Sequence, residues 1–369
     1  TNVNKQKYER VCIETFAPVT DEFVSNREIS ILPFVPHNID ERATEILKLQ
    51  AAGLAGRLKK INCKNVVIGI SGGLDSTLAL IVAAEAFNIN GLDTKGIHAI
   101  TMPCYGTTDR TLNNAKKLME LLNVTSYEIN IKDACEQHYK DIGHDKSNLD
   151  VTFENVQARE RTQILMDISN KIGGLVVGTG DLSELALGWC TYNGDQMSMY
   201  GVNASIPKTL VRGILESYAQ HHNELRETLL DICDTPVSPE LLPPNEDGTI
   251  KQKTEDKIGS YVIHDFILYY MQRHGFGPRK IFDLYINAKT MHEKKMGVEN
   301  PVIDKADVLK NMEIFYNRFW TQQFKRSCMP DGVKVGSVSL SPRGDWRMAS
   351  DACQSIWIDE LNELKNIIK

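Results

Sequence analysis

The plainest chemistry in the chain lies between Val66 and Phe87, where an apolar strand, Val66-Val-Ile-Gly-Ile70, runs into Ser71-Gly-Gly-Leu-Asp-Ser76 and then into an apolar helical stretch. Such a turn attracts phosphate. Gly72 and Gly73 let the backbone approach an anion, the first N–H groups of the following helix have no intrahelical acceptor and point at it, and the hydroxyls of Ser71 and Ser76 add donors. Asp75 breaks the pattern, because a carboxylate repels phosphate unless a cation lies between them. It suits either Mg2+ held on a polyphosphate or, more simply, the capping of a helix N-terminus. The spacing is neither that of a Walker-type loop nor that of a dinucleotide-binding G-x-G-x-x-G turn.

Other polar residues admit two readings each. Gly178-Thr-Gly-Asp181 follows an apolar strand and falls where the carboxyl ends of parallel strands form a ligand crevice, yet Asp181-Leu-Ser-Glu184 also reads as an ordinary acidic helix start. Asn155, Arg159 and Gln163 stand four apart on one helical face, either a solvated stripe or a ligand-reading one, and Arg159 has the planar fork that suits phosphate. Lys208 after Pro207 reads as a surface charge, Asp195 in Tyr192-Asn-Gly-Asp195 as a turn former, and Lys325 with Arg326 as cations ending a helix, unless a ligand recruits them. No convincing Cys–His or Ser–His pair stands out, so any chemistry here leans on electrostatics.

The elements that must hold these residues alternate. Apolar residues Ile46, Leu49, Leu54 and Leu58 predict a helix over Ile39–Lys60; a strand over 66–70, a helix after Asp75, a strand near 97–102, a helix over 112–122 and a strand near 124–131 follow. A helix over 153–171 and the strand Gly174–Gly178 complete the rhythm of a doubly wound parallel α/β sheet. Four prolines in 235–248 predict a long surface loop, and helices from 259, over 308–318 and over 356–368 predict a helical C-terminal extension. Residues 1–36 read as a linker or the remnant of a preceding domain, and 37–369 as one unit.

Composition narrows the partners. With 42% apolar residues the 369-residue chain can bury a large core, and a net charge of −6 gives no basic field for nucleic acid. No apolar run is long enough for a membrane span and no secretory signal opens the chain, so the expected compartment is the cytoplasm. The eight cysteines form no C-x-x-C pair and are expected to be reduced.

The loop at 71–76 resembles the signature of the ATP pyrophosphatases, which cleave ATP between its α and β phosphates. Within that group the chain is similar to NAD synthetases, through Phe153-Glu-Asn-Val-Gln-Ala-Arg159, Gly178-Thr-Gly-Asp-Leu-Ser-Glu-Leu-Ala-Leu-Gly-Trp189, Val202-Asn-Ala-Ser-Ile-Pro-Lys-Thr209 and Phe324-Lys-Arg-Ser327, with Leu32-Pro-Phe-Val-Pro36 and Ser341-Pro-Arg-Gly-Asp-Trp346 at the flanks. These segments match the long glutamine-dependent bacterial form better than the short ammonia-dependent one. The resemblance implies that Ser71, Gly72, Gly73, Asp75, Ser76, Met102, Thr179 and Lys208 bind ATP, that Asp75 and Glu184 hold Mg2+, and that Asn155, Arg159, Asp181, Trp189, Lys257 and Lys325 contact deamido-NAD. Asp75, Lys208, Asp195 and Lys325 are the implied catalytic set, with Lys325 on a mobile loop.

The implied reaction is adenylation of a carboxylate followed by attack of ammonia, in a homodimer or higher homo-oligomer. Long NAD synthetases also carry a glutaminase domain with a Glu-Lys-Cys triad; nothing before Leu32 houses one, and Cys12 lacks its context, so ammonia is the expected direct donor. A tRNA thiolase is disfavoured by the missing C-x-x-C, and GMP synthetase leaves 153–159 and 178–189 unexplained. An ATP-sensing module would have no need of Asp75, Glu184 and Lys208 together.

Overall fold

The computed structural model of the chain describes residues 27–236, 238, 241–243 and 254–368. Cys12, most of the segment before residue 36 and most of the proline-rich stretch after 235 lie outside the described residues.

Val66–Gly69 forms β1 and Leu175–Gly178 forms β4, short apolar runs buried on both faces as central parallel strands must be. Ile97–Thr101 is β2, Thr125–Glu128 is β3 and Tyr200–Gly201 is β5. All pair in parallel, in the order β3-β2-β1-β4-β5. The chain therefore builds outward from β1 to β3, then returns to place β4 on the other side of β1. The carboxyl ends of β1 and β4 flank that switch, the place where a doubly wound sheet opens a crevice.

Strand alternation decides what covers each face. Val66, Ile68, Ala99, Leu175 and Val177 turn towards α1 (Ile39–Lys60), α2 (Leu74–Asn90), α3 (Asp109–Leu121), α7 (Lys208–His221) and α8 (Asn223–Cys233). Val67, Ile100 and Val176 turn the other way, onto Tyr139 of α4 (Lys132–Asp141) and Phe153 and Val156 of α5 (Val151–Ile172). A third apolar cluster joins α6 (Leu182–Leu187) to α9 (Thr254–Ile258), α10 (Tyr261–His274), α11 (Pro278–Lys295), α12 (Lys305–Thr321) and α14 (Ser355–Ile368), which make up the C-terminal helical layer together with α13 (Gln323–Ser327).

The expected doubly wound parallel α/β core with a helical extension is the observed one. Boundaries moved where caps decide them: α3 starts at Asp109 because the Thr108 hydroxyl accepts the Thr111 N–H, and β3 ends at Glu128. The stretch around Lys208 is α7, whose Leu210, Val211, Ile214 and Leu215 bury at helical spacing. No helix among the described residues is long and apolar enough to cross a membrane.

Candidate active site at the switch point

The turn after β1 needs its glycine. Gly72 has φ +85°, and a Cβ there would sit 2.2 Å from the Thr111 carbonyl oxygen. Ser71 Oγ accepts the Gly73 N–H at 3.2 Å and lies 3.2 Å from Ser76 Oγ, which donates to the Gly73 carbonyl. Gly73, not Asp75, is the N-cap of α2. Asp75 is thus released from capping, and its carboxylate turns to the Lys208 ammonium.

Lys208, the first residue of α7, is 5% exposed, so it is no surface charge. Its Nζ lies 2.5 Å from Asp75 Oδ2, 2.8 Å from Asp181 Oδ2 and 3.0 Å from Glu184 Oε1. The helix-start reading of Asp181 and Glu184 is correct as well. Asp181 Oδ1 accepts the Glu184 N–H at 2.8 Å, and Glu184 Oε2 accepts the Asp181 N–H at 3.4 Å, a reciprocal capping box. Each carboxylate therefore spends one oxygen on the helix and turns the other to the lysine.

Burial sets the electrostatics. It drives the Asp181 carboxyl well up from its ordinary range and pushes Glu184 up to about 7, in both cases against the attraction of Lys208. For Lys208 burial pulls downward, but Asp181, Asp75 and Glu184 together outweigh it and raise the ammonium well above its usual value. The lysine stays charged.

This donor set fits a hard divalent cation. Oxygens of Asp75, Asp181 and Glu184 lie within 4.8 Å of one another, one ammonium leaves the group acidic, and Asp75 Oδ1 is buried with no hydrogen-bond partner among the described residues. The expected pair was Asp75 with Glu184; Asp181 joins them.

Two side chains that the sequence did not single out set the spacing. Fully buried Asn203 donates from Nδ2 to the Asp75 carbonyl at 2.9 Å and the Thr179 carbonyl at 3.0 Å, clasping the turn after β1 to the loop after β4. Gln50 Nε2, from α1, donates to Asn203 Oδ1 at 3.0 Å. A polar residue on the buried stripe of α1 was the visible signal for Gln50.

Beside the cluster a cavity is lined by Glu184, Cys190, Asp195, Gln196 and Ser198. Burial raises the Asp195 carboxyl although Oδ1 accepts the Thr191 N–H at 2.7 Å. The outer wall comes from the C-terminal layer, where the expected mobile loop is the short helix α13. Lys325 Nζ donates to the carbonyls of Gly188 (2.8 Å) and Cys190 (2.7 Å), Arg318 Nε to that of Leu187 (2.9 Å), and fully buried Arg326 to that of Ala186 (2.8 Å). Three cations thus sit on the C-terminal end of α6, where unpaired carbonyls attract positive charge. Gly188, at φ +55°, closes that helix.

Asn155 and Arg159 lie on α5, and Lys257 pairs with it. Asn155 Oδ1 accepts the Thr191 hydroxyl at 2.8 Å, Arg159 Nε donates to the Tyr192 carbonyl at 3.3 Å, and Lys257 on α9 pairs with Glu154 at 2.9 Å. Trp189 is half-buried with the Arg318 guanidinium 5.2 Å from its ring centre, and Met102 is buried at the end of β2.

The fold and site define a doubly wound α/β protein whose glycine-rich, phosphate-attracting turn faces an acidic loop across the switch point. Within that class the chain belongs to the NAD synthase family, whose sequence profile matches residues 46–298. It is 43% identical over 357 residues to a glutamine-dependent NAD(+) synthetase of Mycobacterium leprae (strain TN), covering 91% of this chain and 52% of that protein. The glutamine-dependent NAD(+) synthetase of Mycobacterium tuberculosis (strain H37Rv) is 42% identical over 355 residues, with the same coverage. The chain spans about half the length of the curated relatives it matches. A glutamine-dependent NAD(+) synthetase from Cytophaga hutchinsonii shares the fold, with a TM-score of 0.69 at 18% identity over 87% of this chain and 56% of that one.

Proposed function

We propose that this site forms the amide of NAD from deamido-NAD, ATP and ammonia. The observation that carries the reading is the Lys208 ammonium held among three carboxylates beside the phosphate-attracting turn. A carboxylate and ammonia do not condense in water, since one is an anion and hydroxide leaves poorly. ATP overcomes this: an oxygen of the nicotinate carboxylate attacks the α-phosphorus, the bond to the β-phosphate oxygen breaks, and an acyl-adenylate and pyrophosphate result. Ammonia then adds to the acyl carbon, loses a proton and expels AMP. The products are NAD, AMP and pyrophosphate, and an assay that finds ADP and phosphate instead overturns the reading.

Mg2+, held by Asp75 and Glu184 with Asp181 beside them, would neutralise charge on the polyphosphate. The N–H groups at the start of α2 and the hydroxyls of Ser71 and Ser76 grip the pyrophosphate, and Lys208 neutralises charge as it leaves. Met102 and Thr179 contact the rest of ATP. Asn155, Arg159, Trp189 and Lys257 orient deamido-NAD, for which Arg159 and Lys257 give up their present partners. Glutamine serves as donor where a glutaminase supplies the ammonia.

Two outcomes follow from the cavity. Ammonium is protonated at neutral pH, as aliphatic amines are, so the rate at fixed total ammonium rises with pH. Asp195, whose carboxyl is raised by burial above its ordinary range, takes the proton from bound ammonium. Asp195→Asn is therefore expected to lose more activity at pH 7 than at pH 9, so that its rate climbs more steeply; profiles that run parallel to wild type remove Asp195 from proton transfer. Lys325→Ala frees the Cys190 carbonyl, leaves that of Gly188 to Arg318 alone and loosens the wall over the reacting groups. It should lower kcat about tenfold with smaller changes in either KM, by steady-state rates, and unchanged constants would make Lys325 a helix-end cation only.

A further inference from the structure

Lys208 is held from both ends by one helix of the C-terminal layer. Tyr261 and Asp265 stand four residues apart on α10 and so share a face. Asp265, 1% exposed, is an isolated acid inside the apolar run Tyr261–Met271 and sits at the start of α7. Its Oδ2 accepts the Thr209 N–H at 3.0 Å and the Thr209 hydroxyl at 2.7 Å, while Oδ1 accepts the Ser183 hydroxyl. Ser183 Oγ in turn accepts the Lys208 N–H at 2.8 Å. One carboxylate thereby fixes the first two residues of α7 and ties them to α6, which carries Glu184. At the other end, the Lys208 ammonium lies 5.4 Å from the centre of the Tyr261 ring, itself 3% exposed.

We infer that Asp265 and Tyr261 are positioning residues for Lys208, an inference that rests on the amide-forming role proposed above. A lysine has a long, freely rotating stem, and holding it in one place costs side-chain entropy unless packing has already removed the alternatives. The buried ring limits where the ammonium lies, and the Asp265 network fixes where the stem begins. The C-terminal layer thus completes a site whose ligands otherwise come from the sheet loops. Because Lys208 acts on the leaving pyrophosphate, a shift of its ammonium weakens transition-state stabilisation more than ground-state binding.

Asp265→Asn tests this. The carboxylate accepts all three hydrogens, whereas the amide keeps those of Thr209 only by turning its N–H groups to Ser183, whose hydroxyl must then accept and gives up the acceptor for its own proton, so the variant loses the charge and one bond of the network. The variant is expected to lose about tenfold or more in kcat while KM for ATP and for deamido-NAD stays within about twofold. Tyr261→Leu should show the same pattern. In a Lys208→Met background Asp265→Asn should cause little further loss, since its effect runs through the lysine. Should Asp265→Asn fail to fold, Thr209→Val, which removes one of the three donors, carries the same test with a loss of about threefold in kcat. Native kcat in the folded variant, or a loss that is accounted for by the unfolded fraction seen in its melt, overturns the inference. A wild-type chain that forms no NAD in the same assay overturns the proposed function instead, before any variant is compared.

Discussion

Asp75→Ala is expected to reduce NAD formation by about a thousandfold while the protein still folds, because it removes one of the carboxylates proposed to hold Mg2+ on the polyphosphate and, beyond that, one of the three partners of Lys208. The side chain of Asp75 is 21% exposed and contributes to no apolar cluster. The structural bond at this position, from Asn203 to the Asp75 carbonyl, is made to the backbone and survives the substitution. Asp75→Asn keeps the shape and discards the charge, and it should be nearly as inactive. Initial rates across a Mg2+ titration, with a thermal melt beside them, check both variants. Near wild-type turnover at the wild-type Mg2+ concentration would mean that Asp75 is an ordinary residue of the first turn of α2.

Lys208→Met is expected to have the second largest effect, and a double one. Methionine fills most of the space but leaves Asp75, Asp181 and Glu184 without their ammonium. Asp181 is fully buried, and an unpaired buried carboxylate costs several kcal/mol, which the protein reduces by binding a proton or a divalent ion. Turnover should fall by about a hundredfold or more, through loss of charge stabilisation on the leaving group. The melting temperature should fall too, and Mg2+ should raise it by more in the variant than in wild type, restoring stability without restoring turnover. The sign follows from the pull of the lysine. Its charge holds both buried carboxyls down against burial, so its removal lifts them further and widens the pH range over which they are protonated. Turnover within about twofold of wild type would contradict the role given to Lys208.

Much of this was legible from residue order. The strands at 66–70 and 174–178 read as buried because they are apolar and bounded by glycine, and their loops carry the phosphate-attracting turn and the acidic pair. The turn at Ser71–Ser76 is local chemistry, so its residues lie where the spacing put them. Lys208 was harder. Its helix follows a proline, and its burial depends on carboxylates more than 20 residues away, a relation that no periodicity expresses. The split use of the oxygens of Asp181 and Glu184 was invisible for a different reason: a capping box and a cation site have the same sequence, and the geometry of the second oxygen separates them. Asn203 and Gln50 meet across 153 positions. Asp265 did leave a trace, as an acid in the apolar run of α10, which is where a buried charge with dedicated partners is to be sought.

If the acidic cluster and the turn after β1 carry out adenylation of the deamido-NAD carboxylate, pyrophosphate is released before any ammonia is present. Purified chain, ATP and Mg2+ are mixed with deamido-NAD in ammonium-free buffer, and pyrophosphate is followed in rapid-quench samples. A burst approaching one pyrophosphate per active site is expected, absent when deamido-NAD is omitted, with NAD and AMP appearing when ammonium is then added. Pyrophosphate released equally well without deamido-NAD, or no burst with it while NAD still forms on adding ammonium, would rule out adenylation of that carboxylate at this site.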